Sequence, residues 1–286
     1  MGKPGLFVGL VTLDLIYRVD RLPEKNQKIV ALDYTSAAGG PATNAAVAFS
    51  HLGGEATLLG GVGSHEIAAL ILTDLQQCGV RVVDLDPDRP ESPPVSSIVV
   101  TQSTGERAVV SINAVKSQAK NQAIANRILE GVRVVLIDGH QIEISATISR
   151  QAKQQGIPVV LDGGSWKAGC DRLLRQVDYA LCSANFRPPG CQTLDHVFAY
   201  LAAEFGIAHI AVTQGERPIE FLCNGQRGQV KVPTVRAIDT LGAGDIFHGA
   251  FCHFILQSNF VEALQQASAI ASRSCQFFGT RQWLRS

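Results

Sequence analysis

No sign of charge is in excess in this chain: 25 Lys and Arg stand against 25 Asp and Glu. Nucleic acids and anionic membrane surfaces usually demand a basic surplus, so the balance argues against both as partners. No stretch approaches the ~18 consecutive apolar residues of a membrane-spanning helix, and the opening MGKPGLFVGL lacks the long apolar region of a secretory leader. The seven cysteines fall in no CxxC or other metal-ligand spacing, and their number is odd. Free thiols in a reducing compartment are the plain expectation, and with it a soluble, cytoplasmic protein. Internal repeats, charge runs and low-complexity tracts are missing too. No GxxxxGK[ST] occurs, which excludes a Walker-type phosphate loop. Gly61-Val62-Gly63 starts like a dinucleotide fingerprint but meets Glu66 where a third glycine should stand.

What is present is a hydrophobic fraction of 46% over 286 residues, enough for one large α/β domain with a small appendage. Short apolar runs alternate with helical patterns. Strands are expected at Leu6–Val11, Ala56–Gly60, Val80–Leu85, Val132–Ile137, Ile157–Leu161, Tyr179–Cys182 and Ile207–Val212. Helices are expected at Pro41–Leu52, His65–Gln77, Glu143–Gln155, Leu194–Glu204, Ala243–Gln257 and Val261–Gln276. Repeated βαβ order implies a parallel sheet covered by helices on both faces, with its site at the carboxyl ends of the strands. Two segments depart from that rhythm. Residues 13–38 and 93–113 alternate like strands with no helix between, and Ser103–Glu106 reads as a hairpin turn. They are expected to form a small projecting β-sheet, a lid, on a core made of 1–12, 39–92 and 114–286.

The chemistry concentrates in Ile238–Phe251, IDTLGAGDIFHGAF. Gly242, Ala243 and Gly244 are nearly bare of side chain at the mouth of a predicted helix. A helix start exposes unpaired N–H groups and a partial positive charge, and small residues let a phosphate reach them. Asp245 cannot bind that phosphate, but it can take a proton from a hydroxyl about to attack it. Alone, the stretch equally fits a tight turn followed by an ordinary first-turn carboxylate.

DTLGAGDIFHGAF resembles the signature of the ribokinase-like (PfkB-type) carbohydrate kinases. Far upstream, Gly39-Gly40-Pro41-Ala42-Thr43-Asn44, followed by Ala45-Ala46-Val47-Ala48, resembles that family's sugar-site motif. Leu13-Asp14, Val212–Gly215 and Gly279-Thr280-Arg281 extend the likeness over nearly the whole chain. The resemblance implies a parallel sheet sandwiched by helices under a small β-lid, and an ATP-dependent sugar kinase. It implies Asp245 as catalytic base and Gly242, Ala243 and Gly244 as the anion hole. Asp14 and Asn44 would hold sugar hydroxyls, with room left by Gly39 and Gly40. Thr213, Gly215, Asn185 and Gly279 would line the nucleotide site, and Asp239 and Thr240 would fix the loop, where many members bind a monovalent cation such as K+. Mg2+ would accompany ATP, and lid sheets of the family often pair across a homodimer.

Singly, these residues keep plainer readings. Asp14 fits a strand end, Asn44 a local cap, Thr213–Gly215 a strand exit, and Asp239 a loop brace. Arg107, on the expected lid, could meet a product phosphate or face water. His140, after a strand, could touch substrate or be an ordinary solvated ring. Asp162-Gly163-Gly164 reads as turn chemistry. One departure is clear: many members carry N-x-x-E after the strand at Tyr179–Cys182, and here Asn185 is followed by Pro188 in place of the acid. How a metal would be held is therefore open, and a sensing pseudokinase stands beside the kinase reading. The style of GGPATNAAVAFSHLGG and GDIFHGAF leans towards fructokinase-, ketohexokinase- and sulfosugar-kinase-like members. With no arginine cluster near the expected sugar site, an unphosphorylated ketose is the implied substrate and a nucleoside the alternative.

Overall fold

The structure is a computed structural model that describes residues 2–112, 119 and 127–286. Residue 1, and the expected lid–core junction at 113 and 114, lie outside the described residues. Thirteen strands and seven helices follow the chain among those residues: β1 (Pro4–Val8), β2 (Thr12–Val19), β3 (Asp33–Gly39), α1 (Pro41–His51), β4 (Glu55–Gly60), α2 (Ala68–Gln77) and β5 (Arg81–Asp84) come first. Then come β6 (Val95–Thr101), β7 (Arg107–Ser111), β8 (Val134–Ile137), α3 (Ile142–Gln154), β9 (Val159–Gly163), α4 (Cys170–Leu174) and β10 (Tyr179–Ser183). The chain closes with α5 (Leu194–Phe205), β11 (His209–Gln214), β12 (Arg217–Cys223), β13 (Gln226–Val230), α6 (Ala243–Phe254), α7 (Phe260–Ser274) and a 3-10 turn at Gln282–Arg285.

The main sheet has the order β13-β12-β11-β10-β9-β8-β1-β4-β5. From β11 to β5 every pairing is parallel. These central strands are covered on both faces, which is why their sequences read as apolar runs without alternation. Phe7 packs into one layer with residues of α1, α2, α6 and α7. Its neighbours Leu6 and Val8 point the other way, into a layer with α3, α4 and α5.

The sequence pattern missed the far edge of this sheet. β12 and β13 form an antiparallel hairpin added to β11. The signal was present in Asn224-Gly225, where both residues have positive φ, at 49° and 82°. That is the backbone a two-residue hairpin turn needs. Two other boundaries shift for local reasons. Residues 65–67 stay outside α2, where the His65 ring accepts the Ile67 N–H at 3.2 Å. β9 runs on to Gly163, so Asp162 lies within a strand and not in the turn expected for it.

The segments 13–38 and 93–113 contribute β2, β3, β6 and β7 to a separate four-stranded sheet of order β3-β2-β6-β7. Ile16, Ile98 and Val100 on one of its faces pack against Phe278 and Leu241. That contact seats the small sheet directly beside the glycine turn at 242–244. On the opposite face Tyr17 and Tyr34 stand across from each other, with ring centroids 5.1 Å apart.

Helices α1 and α6 touch backbone to backbone. A Cβ at Gly249 would fall 2.1 Å from the Ala45 carbonyl oxygen, and the small residues of α1 make this approach possible. Replacing Gly249 with Ala is expected to force the helices apart and cost about 1–3 kcal/mol, as overpacking of a tight core does. Urea unfolding reads that loss, and an unchanged midpoint would contradict the contact.

Candidate active site

Helix α6 starts at the turn singled out in the sequence. Its N-cap, Gly242, has φ 71° and ψ 2°, a left-handed conformation that glycine adopts without strain, and no side chain caps the helix. Asp239 braces the turn from behind: its carboxylate oxygens accept the N–H of Leu241 and the N–H of Gly279, each at 2.8 Å. Ala243 N–H turns back to the Thr240 carbonyl at 3.3 Å. The N–H groups of Gly244 and Asp245 have no acceptor among the described residues. A Cβ at Gly244 would meet nothing within 4 Å, and Gly244 is exposed. The turn thus offers a bare helix N-terminus, the geometry that binds an anion.

The Asp245 carboxylate is fixed from α1. Asn44 Nδ2 donates to Asp245 Oδ2 at 2.9 Å, while Asn44 Oδ1 accepts from Arg281 Nη1 at 3.1 Å. A guanidinium can only donate and a carboxylate can only accept, so the amide has one satisfied orientation. Arg281 is itself held by Asp74 Oδ2, through Nε at 3.1 Å and Nη2 at 3.0 Å, and by the Ala38 carbonyl at 2.6 Å. Burial pushes the Asp245 carboxyl up to about 7, and the charge of Asp162 adds to the rise; Asn44, His248 and Arg107 oppose it.

Asp14 lies in β2, opposite Ala37 in β3 and Ser96 in β6. Its carboxylate rests on Gly39, where a Cβ would come within 2.0 Å of it, and accepts the Thr12 hydroxyl at 2.7 Å. Burial raises its carboxyl above the ordinary range, against the Thr12 and Ser96 hydroxyls and the Arg281 charge. Gly40, with φ 105°, passes the Leu10 carbonyl so closely that a Cβ would stand 2.2 Å from its oxygen. Gly39, Gly40, Asp14, Asn44 and Asp245 are in this way gathered where the small sheet meets α1 and α6.

The remaining residues fall around this group. Arg107 Nη1 donates to the Thr240 hydroxyl at 3.0 Å and to its carbonyl at 3.3 Å, so the small sheet touches the signature turn through it. Thr213 is the penultimate residue of β11, beside Ser183, and its hydroxyl donates to the Cys182 carbonyl at 3.4 Å. Gly215 turns with φ 68° and open space around it. Asn185 is exposed on the next loop, and Pro188 is buried. His140 donates its backbone N–H to Asp138 at 2.9 Å, and burial keeps its ring less basic than usual.

Asp138, Arg281 and His248 had no assigned part in the sequence reading. Asp138 is buried and accepts the N–H groups of Leu10 at 2.9 Å and Ala42 at 3.2 Å. It caps α1 from a neighbouring strand, which a scan for local capping residues cannot find. Among the described residues no three His, Cys, Asp or Glu side chains stand together as a metal site. Asn185 is exposed and Pro188, at the position of the acid that many family members carry, offers no ligand atom from its side chain.

Residues 6–285 match the family model of the pfkB family carbohydrate kinases, and the chain belongs to that family. It is an ATP-dependent carbohydrate kinase of ribokinase-like fold. An ATP-dependent ribose-1-phosphate kinase of Halopiger xanaduensis is 29% identical over 96% of this chain and 93% of its own length. The deoxyribokinase of Salmonella typhi is 26% identical, covering 92% of this chain and 89% of its own. Among solved structures, a provisional ribokinase from Agrobacterium tumefaciens superposes with a TM-score of 0.88 at 27% identity, covering 100% of both chains.

A carboxyl group whose folded value lies above its unfolded one stabilises the fold fully at low pH and loses that contribution as the pH rises through the folded value. For Asp245 the loss is complete only above about 7. Asp245→Asn removes this titration, so the variant's stability relative to the natural chain is expected to rise between about pH 5 and about pH 8. Urea unfolding at the two pH values measures it, and a difference independent of pH would contradict the raised carboxyl of half-buried Asp245.

Proposed function

We propose that this chain transfers the terminal phosphoryl group of ATP to a monosaccharide hydroxyl, with Asp245 as the base. The observation that carries the reading is the pair of open N–H groups at Gly244 and Asp245 beside a carboxylate held by Asn44. Gly242, Ala243 and Gly244 let phosphate reach the helix start. The N–H donors there stabilise charge on the moving group, each typically worth about 3–4 kcal/mol of barrier. A base that ionises near neutrality combines an available carboxylate with a useful drive for proton transfer. Asp14, with Gly39 and Gly40 leaving space, holds further sugar hydroxyls, and His140 borders the same cleft. Thr213, Gly215, Asn185 and Gly279 line the nucleotide side. Mg2+ arrives on the phosphates of ATP and is not held by a protein cluster. K+ beside the Asp239–Thr240 loop is the remaining ion the reading carries, and activity in K+ against choline buffer measures it.

Arg107 gives the small sheet its role. By bridging to Thr240 it places a guanidinium over the turn, where closure of a lid would exclude water and add positive charge near the phosphates. The outer face of the same sheet carries Tyr34 and Val110, 52% and 75% exposed. An apolar face of this kind is suited to a second copy of the chain, and a homodimer through the lid is part of the proposal. Ribose, deoxyribose and ribose 1-phosphate head the substrate panel because relatives bear those names. A mouse ketohexokinase, 23% identical, keeps ketoses in it.

Asp245→Asn is expected to keep ATP binding nearly intact while turnover falls at least ~100-fold. In the natural chain kcat/KM should drop about tenfold per pH unit below about pH 7, where Asp245 takes up its proton. A coupled ADP-release assay on the panel, with calorimetry for ATP, reads both. Wild-type turnover in the Asn variant would remove Asp245 from its role. ATP and sugar binding with no ADP release in the natural chain would make it a sensor.

A further inference from the structure

His248 and Asp162 form a buried pair that the proposed chemistry does not use. They are 3% and 4% exposed, and His248 Nδ1 stands 3.1 Å from Asp162 Oδ2. The other ring nitrogen, Nε2, lies 3.1 Å from the Leu181 carbonyl of β10. An oxygen that can only accept thus faces each nitrogen. A neutral ring with its proton on Nε2 would turn the Nδ1 lone pair on Asp162, whereas a proton on Nδ1 removes that repulsion. The Nδ1–Oδ2 approach is an ion pair and not a formed hydrogen bond, and neither atom has another partner among the described residues.

The pair's place in the fold is specific. His248 follows Asp245 by three positions on α6, one turn deeper on the same side of the helix. Asp162 enters from β9 and Leu181 from β10. The charged and titratable groups facing Asp245 are Asp162 from β9, His248 from α6 and Arg107 from β7, with the Asn44 amide of α1 bonded to it. Those facing Asp162 are His248, Lys167, His140 and Asp245, with the thiols of Cys182 and Cys252 beside it.

We propose that Asp162 and His248 are a permanent carboxylate–imidazolium pair that positions Asp245: it ties the first turns of α6 to β9 and β10, and it cancels beneath the base the charge that Asp162 alone would place there. The inference rests on Asp245 being the base. His248 touches neither substrate nor phosphate in it and acts through its neighbour. The sign of each interaction agrees, since Asp162 raises the Asp245 carboxyl and His248 lowers it. Without the cation, a buried negative charge would stand under a carboxyl group that must itself lose a proton to work.

Two experiments test this. The first needs no activity: ring 15N shifts of His248 in the full natural chain between about pH 6 and about pH 9. Both nitrogens are expected to stay protonated throughout, and a neutral ring at pH 7.5 overturns the proposal. The second follows the acid limb of kcat/KM in His248→Gln and in the double variant Asp162→Asn/His248→Gln. The glutamine variant leaves Asp162 without its imidazolium partner, with Lys167 remaining, and should move the limb up by about one pH unit. The double variant, a neutral amide pair, should bring it back towards the natural value. A purely structural pair would lower activity equally at every pH, and coincident limbs would overturn the charge role. Carboxyl 13C titration of Asp245 in the same variants reads the same shifts without turnover. It separates failure of this inference from failure of the kinase reading. If His248→Gln does not fold, the double variant and the natural ring's charge state still decide the matter.

Discussion

The close crossing of α1 and α6 is the constraint from which the site follows. Only glycine at 249 lets α6 lie on the Ala45 carbonyl, and only at that separation does the Asn44 amide reach Asp245. Two residues far apart in sequence are thereby fixed to within a hydrogen bond before any substrate arrives. Precision of this kind is what orientation demands, because a displacement of about an ångström at a reacting group can cost two orders of magnitude in rate. The small residues of α1, which contribute little helix–solvent contrast, are explained by this packing and not by propensity.

Five carboxylates gather near the carboxyl ends of the strands, and their partners divide the labour. Asp138 is given to the N–H groups of Leu10, Ala42 and His140 and shapes the start of α1. Asp239 is given to Leu241 and Gly279 and shapes the start of α6. Asp162 faces His248. Asp14 and Asp245 are read as facing the cleft, and burial holds both carboxyls, like that of Asp239, above the ordinary range. Asp138 and Asp239, bonded to backbone N–H groups, build the scaffold, while Asp14 and Asp245, held by side chains, are the ones the proposed chemistry employs. Arg281, bonded to Asp74, Ala38 and Asn44 together, links the small sheet's β3 to the base through a single side chain.

Much of this was legible in the residues. The parallel core followed from apolar runs alternating with helical periods, and the glycine turn followed from the absence of side chains before Asp245. What escaped notice was non-local or overlooked. Asp162 looked like the start of a Gly-Gly turn because nothing in its neighbourhood shows that a histidine 86 positions later will face it. Asp138 escaped for the same reason: it caps a helix that precedes it by most of a domain. The β12–β13 hairpin was readable, since Asn224-Gly225 between alternating segments is a strong local signal, but the helix-and-strand rhythm drew attention past it. Arg281 lay in a stretch matched to the family, yet its distant partners lie on β3, α1 and α2.

The central claim is that the open N–H groups at Gly244 and Asp245 receive the travelling phosphoryl group while the Asp245 carboxylate faces the accepting alcohol. A crystal of the natural chain with a non-hydrolysable ATP analogue and a bound sugar measures this directly. The account predicts the terminal phosphate within hydrogen-bonding distance of those two N–H groups and a sugar hydroxyl against Asp245. A terminal phosphate seated away from the start of α6, or a sugar with no hydroxyl reaching Asp245, would contradict it.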